Sequence, residues 1–367
     1  MGSALIIDNW LLQDIGSCLS QGLNRDSVSE VAIHRADDSH SIRDVPAAGV
    51  QIEALLGFLV DIVLRDSIVV DSAFTNTWSD YEKYFAMLLG QGLMRPLPLG
   101  AYDERLKESK RYALEQLCVT STLREAQRQN ERSWAARKGA ENPYMSAVIW
   151  GTAGMLSRSH VFEALYSGHP LRKRVIEQTV LASPSRDAVA EILEWMNDER
   201  LRLYEAKVTK GLQRTAALVL PPIAIEIIEA SADIDDLVTV AYQLRDKYVG
   251  MREWMRSIQT AMECENPKEI AKYKKTLDAV SKDLGRAMGK NDTGKITLKI
   301  GLGWPSISIS VGTLDEVMKK FGMRATLNNQ IFTGQGERSV KKLLRMFEEE
   351  KSRVGLSVQQ YLRPNLK

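Results

Sequence analysis

The chain has 367 residues, 44% hydrophobic and 26% charged, so it can bury a large core without disulfides or structural metals. Its three cysteines, Cys18, Cys118 and Cys264, are widely separated, which argues against a disulfide framework and against a cysteine-ligated zinc site. No apolar run reaches the roughly 20 residues that a membrane-spanning helix needs, and no export signal is recognisable. We therefore expect a cytoplasmic protein that does not contact a membrane.

The net charge of +2 hides a strong asymmetry along the chain. Residues 1–100 contain 6 basic and 13 acidic side chains, whereas residues 268–367 contain 20 basic and 10 acidic ones. Such a distribution favours an electrostatic partner for one end of the chain, or attraction between the two ends.

Residues 1–100 predict a small acidic unit that is either α/β or helical. Residues 4–7 are apolar enough for a buried strand, and the apolar spacing that follows, as far as residue 21, predicts a helix. Residues 22–46 are polar and predict a loop or a weak helix. The remaining elements are an apolar helix, a buried strand, a capped helix and a proline-rich extended segment, at residues 47–64, 67–71, 79–90 and 95–99 respectively.

Residues 101–290 predict a large helical bundle, because good helix formers and helical apolar spacing recur along this range. The longest amphipathic segments are residues 183–210 and 232–262. One predicted helix holds the small residues Ala147, Gly151, Ala153 and Gly154, which let two backbones approach closely.

Residues 291–367 predict a basic unit built on a β-hairpin. Apolar and polar residues alternate over 295–311, as in two short strands, and helices are predicted at 313–321 and 337–352. The expected fold class is mainly α: a large helical bundle with a small N-terminal α/β element and a C-terminal β-hairpin flanked by helices.

Acidic residues in the first hundred positions suggest a metal site. Asp8 and Asp71 each end an apolar run, and Glu53 and Asp61 lie between them. Carboxylates at strand ends can bind Mg²⁺ or Mn²⁺ for phosphodiester cleavage, although aspartates at such positions also cap helices and begin turns. The segment Ile6–Asn9 resembles the first strand of PIN-type nucleases, without the threonine that usually stands between the Asp and the Asn. That resemblance implies a metal-dependent nuclease and covers this segment only.

The C-terminal third predicts a basic surface. The residues that could form it, four of them spaced to share one helical face, are Lys272, Lys275, Lys282, Arg286, Lys341, Lys342 and Arg345. A face of this kind can neutralise the phosphates of a nucleic acid. The alternative is a solvated face that nearby acidic residues partly neutralise.

Two further patterns have simple structural explanations. The segment 289–296 has the glycine and lysine spacing of a phosphate-binding loop, but it follows a predicted helix and opens a predicted strand, the reverse of the required context. The four histidines, His34, His40, His160 and His169, are expected to be structural or exposed to solvent rather than catalytic.

The leading hypothesis is a non-catalytic helical protein without a cofactor that binds a macromolecular partner. The partner is another protein, a second copy of the chain, or nucleic acid on the basic C-terminal surface. The first alternative is a nuclease or phosphodiesterase that uses Mg²⁺ or Mn²⁺ on Asp8 and Asp71, assisted by Glu53 or Asp61. The second alternative is a sensor of a small molecule or nucleotide in a pocket between helices.

Overall fold

The structure is a computed structural model, and the residues it describes are mainly helical with a small parallel sheet. The described residues are 4–25, 28–34, 40–75, 82–117, 128, 132, 150–162, 164–172, 222–250, 252–253, 256–257, 298–301, 304–307 and 335–362. Most of the helical bundle expected over 101–290, and most of the basic unit expected after it, lies outside these ranges.

The described elements are named here in chain order. The strands are β1 (Ala4–Ile7), β2 (Val28–His34), β3 (His40–Pro46), β4 (Ser67–Asp71), β5 (Met94–Leu97), β6 (Leu165–Ser167), β7 (Leu298–Gly301) and β8 (Trp304–Ile307). The helices are α1 (Asn9–Gln21), α2 (Ala47–Leu64), α3 (Ser72–Thr75), α4 (Glu82–Gly90), α5 (Asp103–Leu117), α6 (Gly151–Val161), α7 (Pro222–Ala230), α8 (Asp236–Gln243), α9 (Gln335–Met346) and α10 (Arg353–Leu362). A 3₁₀ turn, Leu99–Tyr102, leads into α5.

Four of the strands form a parallel sheet in the order β5-β4-β1-β6. The chain begins at β1, moves outward through β4 to β5, and then returns to add β6 on the other side of β1. The strand order therefore reverses between β1 and β6. In open α/β sheets, the crevice beyond the carboxyl ends of the strands at such a reversal is where ligands bind.

Two antiparallel pairs lie outside this sheet. Strands β2 and β3 pair from Val28 with Pro46 to His34 with His40, so the expectation of a loop or weak helix over 22–46 is wrong. Strands β2 and β3 pair with each other, and the polarity of the local sequence does not reveal this pairing. Strands β7 and β8 form a second, shorter antiparallel pair.

The helices make two groups around the parallel sheet. Helices α1, α2 and α4 share one hydrophobic core with α7, α8, α9 and α10, whereas α5 and α6 pack on each other. Because connections between parallel strands are right-handed, the helices before β5 and those between β5 and β6 flank opposite faces of the sheet. The candidate site lies where α6 approaches the carboxyl ends of the strands.

Helix α2 is the central element of the larger core and has the bounds predicted from the sequence. It is long and apolar enough to span a membrane by length and composition, and most of it is buried within the protein. Its carboxyl end is held by two arginines. Arg245 Nη1 donates to the carbonyl oxygens of Ile62 and Arg65, the latter at 2.7 Å, and Arg252 donates to that of Val63 at 3.1 Å.

Three helical predictions were too long. Residues 232–262 do not form one helix, because α8 ends at Gln243 and turns follow it. Residues 337–352 are interrupted after Met346, because Glu348 adopts a left-handed φ of 60° and the N–H of Glu349 bonds back to Leu344. The run of helices expected from residue 101 also contains strand β6, which is only three residues long.

Candidate functional site at the carboxyl edge of the sheet

Two of the predicted carboxylates lie at the same, carboxyl edge of the sheet, on neighbouring strands. The register of β1 and β4 pairs Ile6 with Val69, and Asp8 and Asp71 each lie two residues beyond that pair. Both aspartates are buried. The parallel pairing therefore brings together residues that are far apart in the sequence.

Asp8 is fully engaged by its neighbours. Its Oδ1 accepts the N–H of Trp10 at 3.0 Å, which caps α1, and its Oδ2 accepts the N–H of His169 at 3.0 Å. The guanidinium of Arg172 forms an ion pair with Oδ1. Burial acts to raise the pKa of Asp8, but the Arg172 charge and the His169 N–H outweigh it and hold the pKa below its usual value.

Asp71 has a similar arrangement at the end of the next strand. Its Oδ1 accepts the N–H of Ala73 at 3.1 Å, which starts α3, and its Oδ2 lies 3.5 Å from Nη2 of Arg158. Each aspartate thus begins a helix and faces an arginine. The two aspartates carry two negative charges into the interior, and the arginines balance them.

The other two predicted acidic residues have different surroundings. Asp61 pairs with Arg65 on the next turn of α2 and accepts a hydrogen bond from the Ser167 hydroxyl at 2.7 Å. Glu53 accepts a hydrogen bond from the Tyr361 hydroxyl of α10 at 2.6 Å. The structure therefore brings Asp61 against strand β6, and it places Glu53 against a C-terminal helix instead.

Three cationic side chains gather on the glycine face of α6. The guanidinium of Arg172 lies directly against Gly151, and a methyl group at that position would overlap it. A methyl group at Gly154 would lie 3.3 Å from Nη1 of Arg158 and 3.5 Å from Nζ of Lys110. The glycines, which the sequence indicated as a close-packing face, thus leave room for charged groups. We call Lys110, Arg158 and Arg172 the cation cluster.

Lys110 is the unusual member of the cation cluster. Its Nζ lies 2.8 Å from the ring centroid of Trp150, and no carboxylate among the described residues is within ion-pair distance of it. Burial, together with the charges of Arg158 and Arg172, lowers the pKa of Lys110 to about 7. This amine is therefore close to half-protonated at neutral pH.

Two buried hydrogen-bonding atoms, one in the cluster and one next to it in sequence, lack partners within the described structure. These are Nε of Arg158 and the hydroxyl of Ser109, the residue that precedes Lys110. Buried donors without acceptors are rare in folded proteins and commonly mark the place of a bound water or ligand. Within the cluster, Lys110 and the Nε of Arg158 therefore carry donors that no carboxylate among the described residues uses.

A buried histidine with a structural role lies close to Arg172 in the sequence. The His169 ring stacks on Trp10 with centroids 3.7 Å apart, and its Nε2 lies 2.9 Å from Oδ2 of Asp14. Because Nδ1 accepts the N–H of Leu171 at 3.3 Å, the ring proton lies on Nε2 and points to Asp14. Both nitrogens are occupied, so His169 positions the segment that carries Arg172.

Sequence reasoning found the two aspartates but missed the cation cluster. Its three members occupy ordinary positions in predicted helices, and no motif connects them. The usable signal was indirect: the paired small residues Gly151 and Gly154, and the short segment around Pro170 that returns to the sheet. Among the described residues, no group of three or more histidine, cysteine, aspartate or glutamate side chains is arranged to hold a metal ion.

The predicted basic surface is only partly within the described structure. Its members Lys272, Lys275, Lys282 and Arg286 lie outside the described residues. On α9, Lys341 is exposed, Lys342 donates to the carbonyl of Glu229 at 2.7 Å, and Arg345 forms a two-point pair with Glu350 at 2.6 and 2.9 Å. The segment 289–296 and the two later cysteines also lie outside, and Cys18 is buried.

Comparisons with known proteins add no relative: no family model, no curated protein and no solved structure matches this chain.

Proposed function

We propose that this protein binds a phosphate-bearing ligand at the cation cluster, at the carboxyl edge of its parallel sheet. The observation that carries the proposal is the excess of cationic donors over anionic acceptors in the cation cluster. Arg172 pairs with Asp8 and Arg158 with Asp71, whereas Lys110 has no carboxylate within ion-pair distance among the described residues, and the Nε of Arg158 is buried without an acceptor there. An anion with several oxygens would satisfy these groups.

Phosphate suits this site better than a single carboxylate would. Arginine presents a planar fork of donors that matches phosphate oxygens, whereas lysine contributes a compact point charge. The strand order reverses between β1 and β6, and ligands of open α/β sheets bind beyond the carboxyl ends of the strands at such reversals, which supports the proposal. The partly buried setting also strengthens each charged contact relative to water.

Calorimetric titration of the full-length protein with sulfate and with pyrophosphate, at low ionic strength and with EDTA present, tests the proposal. We expect both anions to bind. Lys110→Gln and Arg158→Gln should each weaken pyrophosphate binding about tenfold or more, because a hydrogen bond to a charged group contributes roughly 1.5–3 kcal/mol.

Lys107→Gln is the matched control for this titration. Lys107 lies on the same helix, one turn before Lys110, and its exposed ammonium pairs with Asp103 and Glu104. Its replacement should leave the affinity within about twofold, since exposed pairs contribute little. Absence of binding by both anions, or equal losses in all three variants, would refute the proposed site.

A second candidate function is phosphodiester hydrolysis with Mg²⁺ or Mn²⁺ on Asp8 and Asp71. It is favoured by their equivalent positions on neighbouring strands and by Oδ1 of Asn9, which is buried without a hydrogen-bond partner among the described residues. These three groups would hold the ion, and the aspartates would exchange their arginine partners for it. The ion would lower the pKa of a bound water so that it becomes a nucleophile.

Incubation with Mn²⁺ and single-stranded RNA or DNA tests the second candidate. Cleavage that disappears in both Asp8→Asn and Asp71→Asn would support it. Cleavage that persists in either variant, or that never occurs, would reject it.

Binding of a protein or nucleic-acid partner to the basic C-terminal surface stays a prediction. Its support is the charge asymmetry of the sequence and the exposed position of Lys341. Salt-dependent gel shifts test the nucleic-acid branch, and light scattering tests self-association.

A further inference from the structure

Resting on the proposed phosphate site, we propose that the ligand is a nucleotide whose phosphate lies in the cation cluster and whose base stacks on the indole of Trp150. This proposal specifies the organic part of the ligand, which the charges alone leave open. It depends on the position of one exposed aromatic ring and on the small extent of the cluster.

Trp150 provides an aromatic surface immediately beside the cation cluster. It precedes the first residue of α6, Gly151, against which the Arg172 guanidinium packs. The indole is 51% exposed, and the Lys110 ammonium lies over its ring, 2.8 Å from the centroid. One face of the ring is therefore taken by a cation of the cluster, and a base stacks on the other.

An indole in this position favours a planar aromatic ligand. A cation on one face polarises the ring, and stacking on an aromatic side chain tolerates any base because every base has a π-face. An exposed tryptophan that stood alone on the surface would need no explanation. Here the indole contacts Lys110, the cation that has no carboxylate partner in the described structure. The surface proposed for the base is therefore next to the charge proposed for the phosphate.

The extent of the cation cluster indicates a nucleotide rather than a nucleic-acid strand. All three cations approach Gly151 and Gly154, which are three residues apart and so about 4.5 Å apart along the helix axis. One phosphate or a short polyphosphate fills such a span. Single-strand binding grooves cover roughly 4–16 nucleotides with cations spread along the backbone.

The topology of the sheet agrees with this geometry. The segment that carries Arg172 follows β6, and Asp8 follows β1, so the two residues flank the reversal of strand order. Nucleotides bind at that position in doubly wound sheets of unrelated sequence. The contacts of His169 with Trp10 and Asp14 fix the position of the segment that carries Arg172.

Titration of the full-length protein with ADP, pyrophosphate and adenosine, all with EDTA present, tests the inference. ADP should bind about tenfold more tightly than pyrophosphate. Because Trp150 also contacts Lys110, the ratio of the ADP affinity to the pyrophosphate affinity is the informative quantity; Trp150→Ala should lower this ratio about tenfold, and Trp150→Phe should restore most of it. Thermal denaturation verifies that the variants fold.

Tyr102→Ala is the matched control for the aromatic contact. Tyr102 is 50% exposed and packs edge-on against Phe162 at the far end of α6, about 18 Å from Trp150 by the rise of the helix. Its replacement should not change ADP binding. If pyrophosphate binds but ADP binds no more tightly, the base contact is refuted while the phosphate site stands.

An oligonucleotide supplies the last arm of the experiment. If a single-stranded tetranucleotide binds more than tenfold more tightly than ADP, and Tyr102→Ala weakens only the longer ligand, the site holds a strand and the nucleotide proposal is overturned. If pyrophosphate itself does not bind, the proposed function fails together with this inference.

Discussion

The Nε2 atom of His169 lies 2.9 Å from Oδ2 of Asp14, and this contact joins the segment after β6 to helix α1 across the reversal of strand order. The imidazole also stacks on Trp10 and accepts the N–H of Leu171. One buried side chain thus connects two parts of the chain that are more than 150 residues apart in sequence.

His169→Ala should lower the free energy of unfolding by about 2–4 kcal/mol, because it removes the stacked ring and leaves the Asp14 carboxylate and the Leu171 N–H without their partner. Urea denaturation followed by circular dichroism measures this loss. His160→Ala, at a partly exposed position, is the control and should cost under about 1 kcal/mol. Equal losses in the two variants would show that the buried contact has no special role.

Gly151→Ala should displace the Arg172 guanidinium, because the new methyl group would overlap it. The guanidinium is the end of a flexible side chain, so it can move, but Asp8 then loses its ionic partner in the interior. We expect a net destabilisation of roughly 2 kcal/mol and weaker pyrophosphate binding, since the better helix propensity of alanine recovers only about 1 kcal/mol.

Gly154→Ala is the control for the Gly151 variant. Its methyl group would lie 3.3 Å from Arg158 and 3.5 Å from Lys110, at contacts that small adjustments can relieve. The stability of this variant should remain within about 1 kcal/mol of the parent. A Gly151→Ala protein as stable as the control, with unchanged pyrophosphate affinity, would contradict the structural account of the cation cluster.

The pKa of Lys110, lowered to about 7, predicts that anion binding depends on pH. Below about pH 6 the ammonium is already charged, so the affinity for sulfate should be constant there. Above pH 7 the free protein loses this proton and must take it up again on binding, so the affinity should fall roughly tenfold between pH 7 and pH 8.5. Sulfate stays fully ionised over this range and contributes no titration of its own.

Lys110→Arg provides the comparison for that pH series. Arginine keeps its charge at every pH used, so the variant should bind sulfate with little change from pH 6 to pH 8.5. Calorimetry in buffers with different ionisation enthalpies measures the proton uptake directly. A wild-type affinity that does not change with pH would rule out a neutral Lys110 in the free protein.

Arg245→Ala should destabilise the protein by about 1.5–3 kcal/mol, because Arg245 donates to two carbonyl groups at the carboxyl end of α2. Arg256→Ala, in the same segment of the chain, removes an exposed pair with Asp66 and should cost under about 1 kcal/mol. Chemical denaturation of both variants compares the two costs. The reverse order would show that the helix end does not depend on its arginine.

Local patterns predicted the elements that local sequence determines. The bounds of α2 and β4 agree with the prediction, because each is an apolar run limited by polar or turn-forming residues. Strand β6 and the pair β2–β3 were missed. The first is three residues long and exists through its pairing with β1, and the pair depends on a partner that the local pattern does not identify.

The same distinction between local pattern and long-range contact applies to the residues of the candidate site. Asp8 and Asp71 were predictable because both end strands, and the carboxyl ends of parallel strands share one edge. Lys110, Arg158 and Arg172 were not, because their association depends on how α5 and α6 pack and on where the chain returns after β6. The role of these residues depends on where the fold places them, and their helical spacing in the sequence does not predict that position.

The burial of α2 has a consequence for how the protein is made. Tyr361 of α10 covers Gly49 and bonds Glu53, so this apolar helix acquires its final cover about 300 residues after it leaves the ribosome. At roughly 5–20 residues per second, synthesis of that length takes about 15–60 s. During this interval the part of α2 that α10 covers stays exposed, and an exposed apolar surface makes a nascent chain prone to aggregation.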